Sequence, residues 1–240
     1  MKWLPYVLLF IVWFFVSFLA HTPLIPSPFE TVGELYVIAS QWENWAHFLI
    51  TLFRGVSGVL LSLIFAIICG IPCGFSDKLW QMFKPIVMVL QSSPTVIWVS
   101  ILLVWIGSGT GICILSVFVA TFPPLFANIA NGTSCIDKKL LQMAWLYRVS
   151  HYRIIREFVI PSISSYIVSA LSYVLGVTWK VVTTVEFICA SSGVGSRVFW
   201  AYRDLNMKGL FCWMFIVICF GLFVDSYFVC GIRKRALAKI

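Results

Sequence analysis

The sequence predicts an all-α integral membrane protein with six transmembrane helices. Hydrophobic residues make up 61% of the chain and charged residues only 11%, whereas an ordinary soluble domain carries about 25% charged residues. The mean hydropathy is +0.98. Since each helical span needs roughly 20 apolar residues, 240 residues accommodate five or six spans in a single domain, residues 1–240, with little left for a soluble domain.

The N-terminal third of the chain predicts one span and an outer loop. An uncharged apolar run follows Lys2 and continues to Ala20. Its end, Ser17 to Ala20, resembles the cleavage site of a signal peptide, so a cleaved leader is one interpretation. Bulky Trp and Phe side chains fill the run to its end, which favours a retained first helix. Residues 21–45 contain three prolines, three acidic residues and no Lys or Arg, which is typical of a loop outside the cytoplasm.

Two glycine-containing segments organise the middle of the chain. A second span is predicted to end near Gly70 and Gly74, small residues whose spacing permits close helix approach. After a short basic link, residues 76–84, no charged residue or His occurs from Pro85 to Ile136. That run is too long for one crossing. The glycine-rich residues 107–111 divide it into two spans joined by a tight turn.

The remaining spans follow a polar segment, residues 135–161, which holds seven Lys, Arg, Asp and Glu residues. A fifth span ends before the glycine-rich residues 190–195. Residues 197–209 form a mixed outer loop, predicted to be partly helical, and a sixth span follows. The six predicted spans are about residues 3–20, 46–75, 85–106, 112–130, 163–187 and 210–232. This topology puts twelve Lys and Arg inside and three outside, so both termini are predicted to be cytoplasmic.

The polar segment is predicted to form two short amphipathic helices. Asp137 is placed to cap the first and Ser150 the second, and Pro161 marks the entry to the fifth span. One interpretation is a hairpin that lies on the inner membrane surface and is held there by Lys and Arg against anionic lipid. The other is a docking element for a soluble partner. The sequence pattern alone leaves both open.

Several functions are disfavoured by what the chain lacks. The basic residues are scattered in short loops without aromatic platforms, which disfavours nucleic-acid binding. Most of the eight cysteines lie in apolar runs with no zinc-site spacing, and neither a metal site nor catalytic residues are predicted. The chain has no phosphate-binding loop motif, so ATP would be hydrolysed by another polypeptide. A rival hypothesis is a secondary transporter or channel that uses Glu186 or Asp225 as its ion site.

Specific motifs resemble a known family. Gln142-Met143-Ala144, followed by Arg148 and by Val159-Ile160-Pro161, resembles the Glu-Ala-Ala loop of permease subunits of binding-protein-dependent ABC importers. Further matches resemble the nitrate, sulfonate and taurine branch of that family. They are Arg54, Gln91 to Pro94, Leu175 to Trp179, and Glu186 with Ala190 to Gly195. The resemblance runs from about His47 to Phe228.

The resemblance implies a type I ABC importer permease fold in which residues 135–161 form a cytoplasmic coupling loop. It implies three kinds of partner in the bacterial inner membrane system: cytoplasmic ATPase subunits that bind the ATP, an external substrate-binding protein, and a second permease subunit, expected to be an identical copy. No cofactor is expected in this chain. The implied coupling residues are Gln142, Met143, Ala144, Tyr147, Arg148 and Pro161. The implied pathway residues are Arg54, Pro94, Trp98, Trp179, Lys180 and Glu186.

Departures from the family pattern generate further expectations. Arg148 stands where the family has Gly, so the loop is expected not to use a positive φ there, and Gln142 replaces the Glu. Small Ala144 is expected to enter a groove of the ATPase. Because Glu186 faces a different side of its helix from Lys180, Glu186 is predicted to pair with Arg54. Lys180 then either snorkels outward or lines a wet pathway.

Overall fold

The structure, a computed structural model, describes residues 4–20 and 22–224, and all regular elements there are helical. The predicted Asp225, the basic residues 233–235 and the end of the sixth span lie outside the described residues. The helices are α1 (Leu4–Ala20), α2 (Pro28–Ser40), α3 (Trp42–Phe75), α4 (Asp77–Ser92), α5 (Thr95–Ile106), α6 (Thr110–Ser134), α7 (Lys138–Leu146), α8 (His151–Arg153), a π-helical turn (Ile154–Val159), α9 (Ile160–Cys189), α10 (Val194–Arg203) and α11 (Met207–Val224).

Four helices of the described chain are long and apolar enough to cross a membrane. They are α3, α6, α11 and the continuous helix Ile154–Cys189, which joins the π-helical turn to α9. Helix α1 is apolar but has 17 residues. The turn between α5 and α6 contains Gly107 at φ 82° and Gly109 at φ 139°, so the predicted glycine turn is confirmed. The protein is a multi-pass membrane protein.

The predicted third span, residues 85–106, is not one helix. Helices α4 and α5 meet at a bend of 97°, at Ser93 and Pro94. Proline has no N–H to donate, and it disfavours helical geometry in the residue before it. Ser93 accordingly has extended backbone angles, φ −84° and ψ 132°. The predicted link 76–84 is also mostly helical, because Ser76 caps α4 through the Leu79 amide.

The predicted outer loop, residues 21–45, contains helix α2. The Glu30 amide donates to the Ser27 hydroxyl at 3.2 Å, and the Ser27 amide donates to the Glu30 carboxylate at 3.3 Å. Pro28 occupies the first helical position, where its fixed φ suits the helix. This reciprocal capping box satisfies two amides that a helix start leaves open. The interpretation of residues 28–40 as a loop was therefore wrong, and α3 follows after a single residue.

Helix α3 packs against α6 through small residues spaced four apart, so the predicted close approach is confirmed. The series is Gly58, Ser62, Ala66, Gly70 and Gly74. A Cβ atom at Gly58 would lie 2.6 Å from Val117, which shows how closely the helices approach. The Ser62 and Thr121 hydroxyls lie 2.6 Å apart in the contact. Helix α9 covers another side of α6, where Gly132 faces the Tyr166 ring.

Substitution at Gly58 tests this packing. We expect Gly58→Leu to lower the thermal stability of the detergent-purified protein, because overpacking a close helix contact destabilises a protein by about 1–3 kcal/mol. Gly221→Leu is the matched control, since a Cβ placed there meets no atom of the described chain within 4 Å other than its chain neighbours and the backbone of its own helix. Equal melting temperatures for the two variants would contradict the described α3 and α6 contact.

Candidate functional site

A buried ion pair joins the two longest helices of the described chain. Arg54 of α3 and Glu186 of α9 are 2% and 0% exposed, and the Nη1 to Oε1 distance is 2.8 Å. Burying either charge alone would be strongly unfavourable, whereas a well-bonded pair is tolerated. The prediction that Glu186 is the partner of Arg54 is confirmed.

The rest of the Arg54 guanidinium is also bonded. Nη1 donates to the Ser192 carbonyl at 2.6 Å, and Nη2 donates to the Ser192 hydroxyl at 2.9 Å. Nη2 and Nε donate to the Thr110 hydroxyl at 3.2 and 3.4 Å. Guanidinium has five N–H donors, and together with the bond to Glu186 each has an acceptor. Arg54 therefore connects α3 with α9, with the loop after α9 and with the start of α6.

The Glu186 carboxylate is enclosed by backbone that only glycine permits. Oε2 accepts from the Thr51 hydroxyl at 2.8 Å and from the Gly195 amide at 3.0 Å. Gly193 has φ 103°, in the left-handed region that favours glycine. A Cβ at Gly193 would clash with the carboxylate, and one at Gly195 would clash with the Thr183 carbonyl. We call Arg54, Glu186, Thr51, Thr110 and Ser192, with the amides of Gly193 to Gly195, the Arg54 network.

Sequence reasoning missed most partners in the Arg54 network. The motif of residues 190–195 was interpreted as a helix end, although it also supplies the carbonyl and amides around the ion pair. Thr51 was overlooked despite its position three residues before Arg54, on the same side of α3. The Thr51 hydroxyl also accepts from the Val194 amide at 2.8 Å, and His47 Nδ1 accepts from the Gly193 amide at 2.9 Å.

The predicted pathway residues do not form one cluster. Arg54, Trp179 and Glu186 are buried between helices, so their side chains face protein in this subunit. The Trp179 ring packs edge-on against Phe220 of α11, with centroids 4.2 Å apart. Pro94 forms the bend between α4 and α5 and is exposed, while Trp98 is half-buried. Lys180 is exposed, on the other side of α9 from the buried residues.

The polar segment 135–161 has the predicted helical form. The Lys139 amide donates to the Asp137 carboxylate at 2.8 Å, so Asp137 caps α7 as predicted, and α8 begins directly after Ser150. Arg148 has φ 53°, and the Val149 amide donates to the Ala144 carbonyl at 3.0 Å. This is a Schellman motif, which ends many helices with a residue in the left-handed region. The expectation that the loop avoids a positive φ at Arg148 was wrong.

Ala144 does not face outward, contrary to the expectation for this residue. It is 5% exposed and belongs to the hydrophobic core of the subunit. The exposed face of α7 carries Met143, Leu146 and Tyr147 instead, at the spacing of one helix side. Gln142 and Arg148 are also exposed, and Pro161 is exposed at the start of α9. The surface that a partner can reach therefore includes three large apolar or aromatic side chains, with Leu146 81% exposed.

Comparison with known proteins identifies the class. A family model described as the binding-protein-dependent transport system inner membrane component matches residues 58–229, well over half of the chain. The chain belongs to this family, whose members are transport permeases. It is a permease subunit of an ABC importer.

Relatives confirm the predicted branch. The putative aliphatic sulfonates transport permease protein of Bacillus subtilis is 24% identical over 85% of this chain and 74% of its own length. The nitrate import permease protein of Synechococcus elongatus is 25% identical, over 92% and 86%. The taurine transport system permease protein of Escherichia coli is 24% identical, over 80% and 72%.

A solved structure confirms the predicted type I permease fold. A chain of the MetNI methionine ABC transporter, in an inward-facing conformation, matches with a TM-score of 0.61 and 15% sequence identity. The match covers 82% of this chain and 98% of that chain. At this identity the likeness concerns the fold alone.

Single and double substitutions test the Arg54 network. We expect Arg54→Met and Glu186→Met each to lower thermal stability strongly, because removing one partner of a buried pair costs about 3–5 kcal/mol. The double variant should lose less than the sum of the two, since neither charge then remains unpaired. Lys208→Met is the control: its partner Glu30 is 3.3 Å away in an exposed pair, which contributes about 0–1 kcal/mol. Additive losses in the double variant would contradict a direct pairing.

Proposed function

We propose that this protein is the membrane-spanning subunit of an ATP-driven importer, in which the loop 135–161 couples it to a separate cytoplasmic ATPase. The observation that carries the proposal is the exposed face of α7 formed by Met143, Leu146 and Tyr147. Three large side chains on one side of a short charged helix form a surface that a protein groove can bury. The ATPase subunits would bind the ATP, and a second copy of this chain would complete the pathway.

The sidedness in this proposal comes from charge. The predicted topology has twelve Lys and Arg inside against three outside, and this bias places the loop 135–161 and both termini in the cytoplasm. The opposite end, with α2 and α10, would then meet the external binding protein. Proteins of the bacterial inner membrane are inserted with their Lys and Arg loops on the cytoplasmic side. We propose that this protein lies in that membrane.

The solutes named for the relatives support a proposal for the solute class. Aliphatic sulfonates, nitrate and taurine are named for three permeases similar to this chain, and each of these solutes carries an oxyanion group. We infer that the present chain conducts a small oxyanion-bearing solute delivered by the binding protein.

The rival hypothesis of a secondary transporter is weakened by the Arg54 network. An ion or proton site requires a carboxylate that can exchange its partner. The Glu186 carboxylate is completely buried and is bonded to Arg54, Thr51 and Gly195. Asp225, the other candidate, lies outside the described residues.

The coupling surface is tested by ATPase co-purification. We expect Leu146→Glu to abolish co-purification of the ATPase with the permease, because a charge in an apolar contact loses its hydration without gaining a partner. Leu205→Glu is the matched control, since Leu205 is similarly exposed at the other end of the molecule. Normal ATPase recovery with Leu146→Glu would favour the alternative in which the loop only lies on lipid.

Sidedness is tested by cysteine labelling in intact cells. We expect a membrane-impermeant thiol reagent to label Ser40→Cys, at the end of α2, and not Lys139→Cys, at the start of α7. Both positions are exposed, so a difference in labelling reports the membrane barrier. Lys139→Cys should become reactive once the cells are permeabilised. Its labelling in sealed cells would invert the topology.

A further inference from the structure

One face of α9 is polar along the length of the helix. Ser162, Ser169, Tyr173, Lys180 and Thr184 are all exposed. Successive members are separated by seven, four, seven and four residues, which places them on one side of an α-helix. Lys180 is the one charged member of this set. We call these five residues the α9 polar face.

The exposed faces of the neighbouring spans are different. On α3 the exposed residues from Leu49 to Ile68 are all apolar, and so are the large exposed residues of α11 from Met214 to Phe223. Apolar side chains suit contact with lipid tails. The Ser162 and Thr184 hydroxyls are bonded to carbonyls of their own helix, whereas an ammonium facing lipid tails would lose hydration without compensation. The α9 polar face is thus unlike the surfaces beside it and is suited to water.

Lys180 has no charged partner within the described residues. No ion pair or side-chain hydrogen bond of the described chain involves its ammonium group. It lies nine residues before the end of α9 at Cys189, about 14 Å along the helix axis. That distance exceeds the reach of a four-carbon side chain, so the ammonium does not extend to the end of α9. Lys180 is therefore an exposed cation on α9 for which the described part of the chain offers no opposite charge.

We propose that the α9 polar face lines the solute pathway and that Lys180 contacts the oxyanion group of the passing solute. The proposal rests on the transport function proposed above and adds the surface and the residue that select the charge of the solute. A mobile anion would supply the negative charge that Lys180 does not find among residues 4–20 and 22–224. The flexible ammonium of lysine makes a single point contact, which favours release as well as binding.

Thiol reagents of opposite charge test the pathway. Thr184→Cys and Ser169→Cys, in the chain assembled with its ATPase in proteoliposomes, should react with 2-sulfonatoethyl methanethiosulfonate. Ile64→Cys, on the exposed apolar face of α3, should not react. The rate on the parent chain, with its native cysteines, is subtracted. Equal inertness of all three variants would show that the face is covered by lipid or protein and would overturn the proposal.

The same reagents test the charge of Lys180. The sulfonate reagent carries an oxyanion, and 2-(trimethylammonio)ethyl methanethiosulfonate is its cationic counterpart. We expect the ratio of anionic to cationic reaction rates at Thr184→Cys to fall roughly fivefold when Lys180→Met is added. Lys180→Arg should keep the ratio, because it keeps the positive charge. Lys208→Met removes a positive charge from the exposed pair with Glu30 and should also leave the ratio unchanged.

An unchanged ratio with Lys180→Met would remove Lys180 from the pathway. That result leaves the proposed permease function intact, because the function is tested separately by recovery of the ATPase with Leu146→Glu. Conversely, normal ATPase recovery with Leu146→Glu would contradict the coupling and leave the α9 polar face in place. The two proposals therefore fail independently.

Discussion

The ion pair between Arg54 and Glu186 is the interaction on which the arrangement of the long helices depends. An ionised side chain between apolar helices is tolerable only with an opposite charge and with every donor bonded. Meeting that condition requires α3, α9, the loop at Ser192 and the start of α6 to converge on one guanidinium. The small residues of α3 permit the close approach of α6 that brings Thr110 near. The glycines after α9 let the backbone reach the carboxylate.

The spans could be predicted from composition because apolar runs and glycine turns are local signals. The bend between α4 and α5 could not, because hydropathy reports only that a segment is apolar and not the direction in which it runs. Pro94 is visible in the sequence, yet prolines also occur inside continuous helices here, as Pro72 does in α3. Helix α2 was missed because prolines and acidic residues were interpreted as a loop, although Ser27, Pro28 and Glu30 together are a helix start.

The site was predictable where charge decides the contact. Two opposite charges buried in a bundle must meet, so the pairing of Arg54 and Glu186 follows from the sequence. The carbonyl and amide groups of residues 192–195 have no sequence signal of their own. The periodicity of α7 shows that the helix has an apolar side, but it does not show whether that side packs against the subunit or against a partner. Ala144 was predicted to contact a partner, whereas it packs in the core of the subunit. Arg148 adopts a strained φ because the Schellman bond of Val149 stabilises the turn.

The continuous helix from Ile154 to Cys189 has a mechanical consequence. Its first turns leave the loop 135–161, and its last turns carry Lys180 and Glu186. Such a helix acts as a lever: tilting one end must displace the other unless the rod itself yields. The π-helical turn Ile154–Val159 is the place where it can yield, since a wider turn has weaker internal bonding than an α-helix. A force applied at α7 would therefore either move the pair of Arg54 and Glu186 or bend the six residues of the π-helical turn.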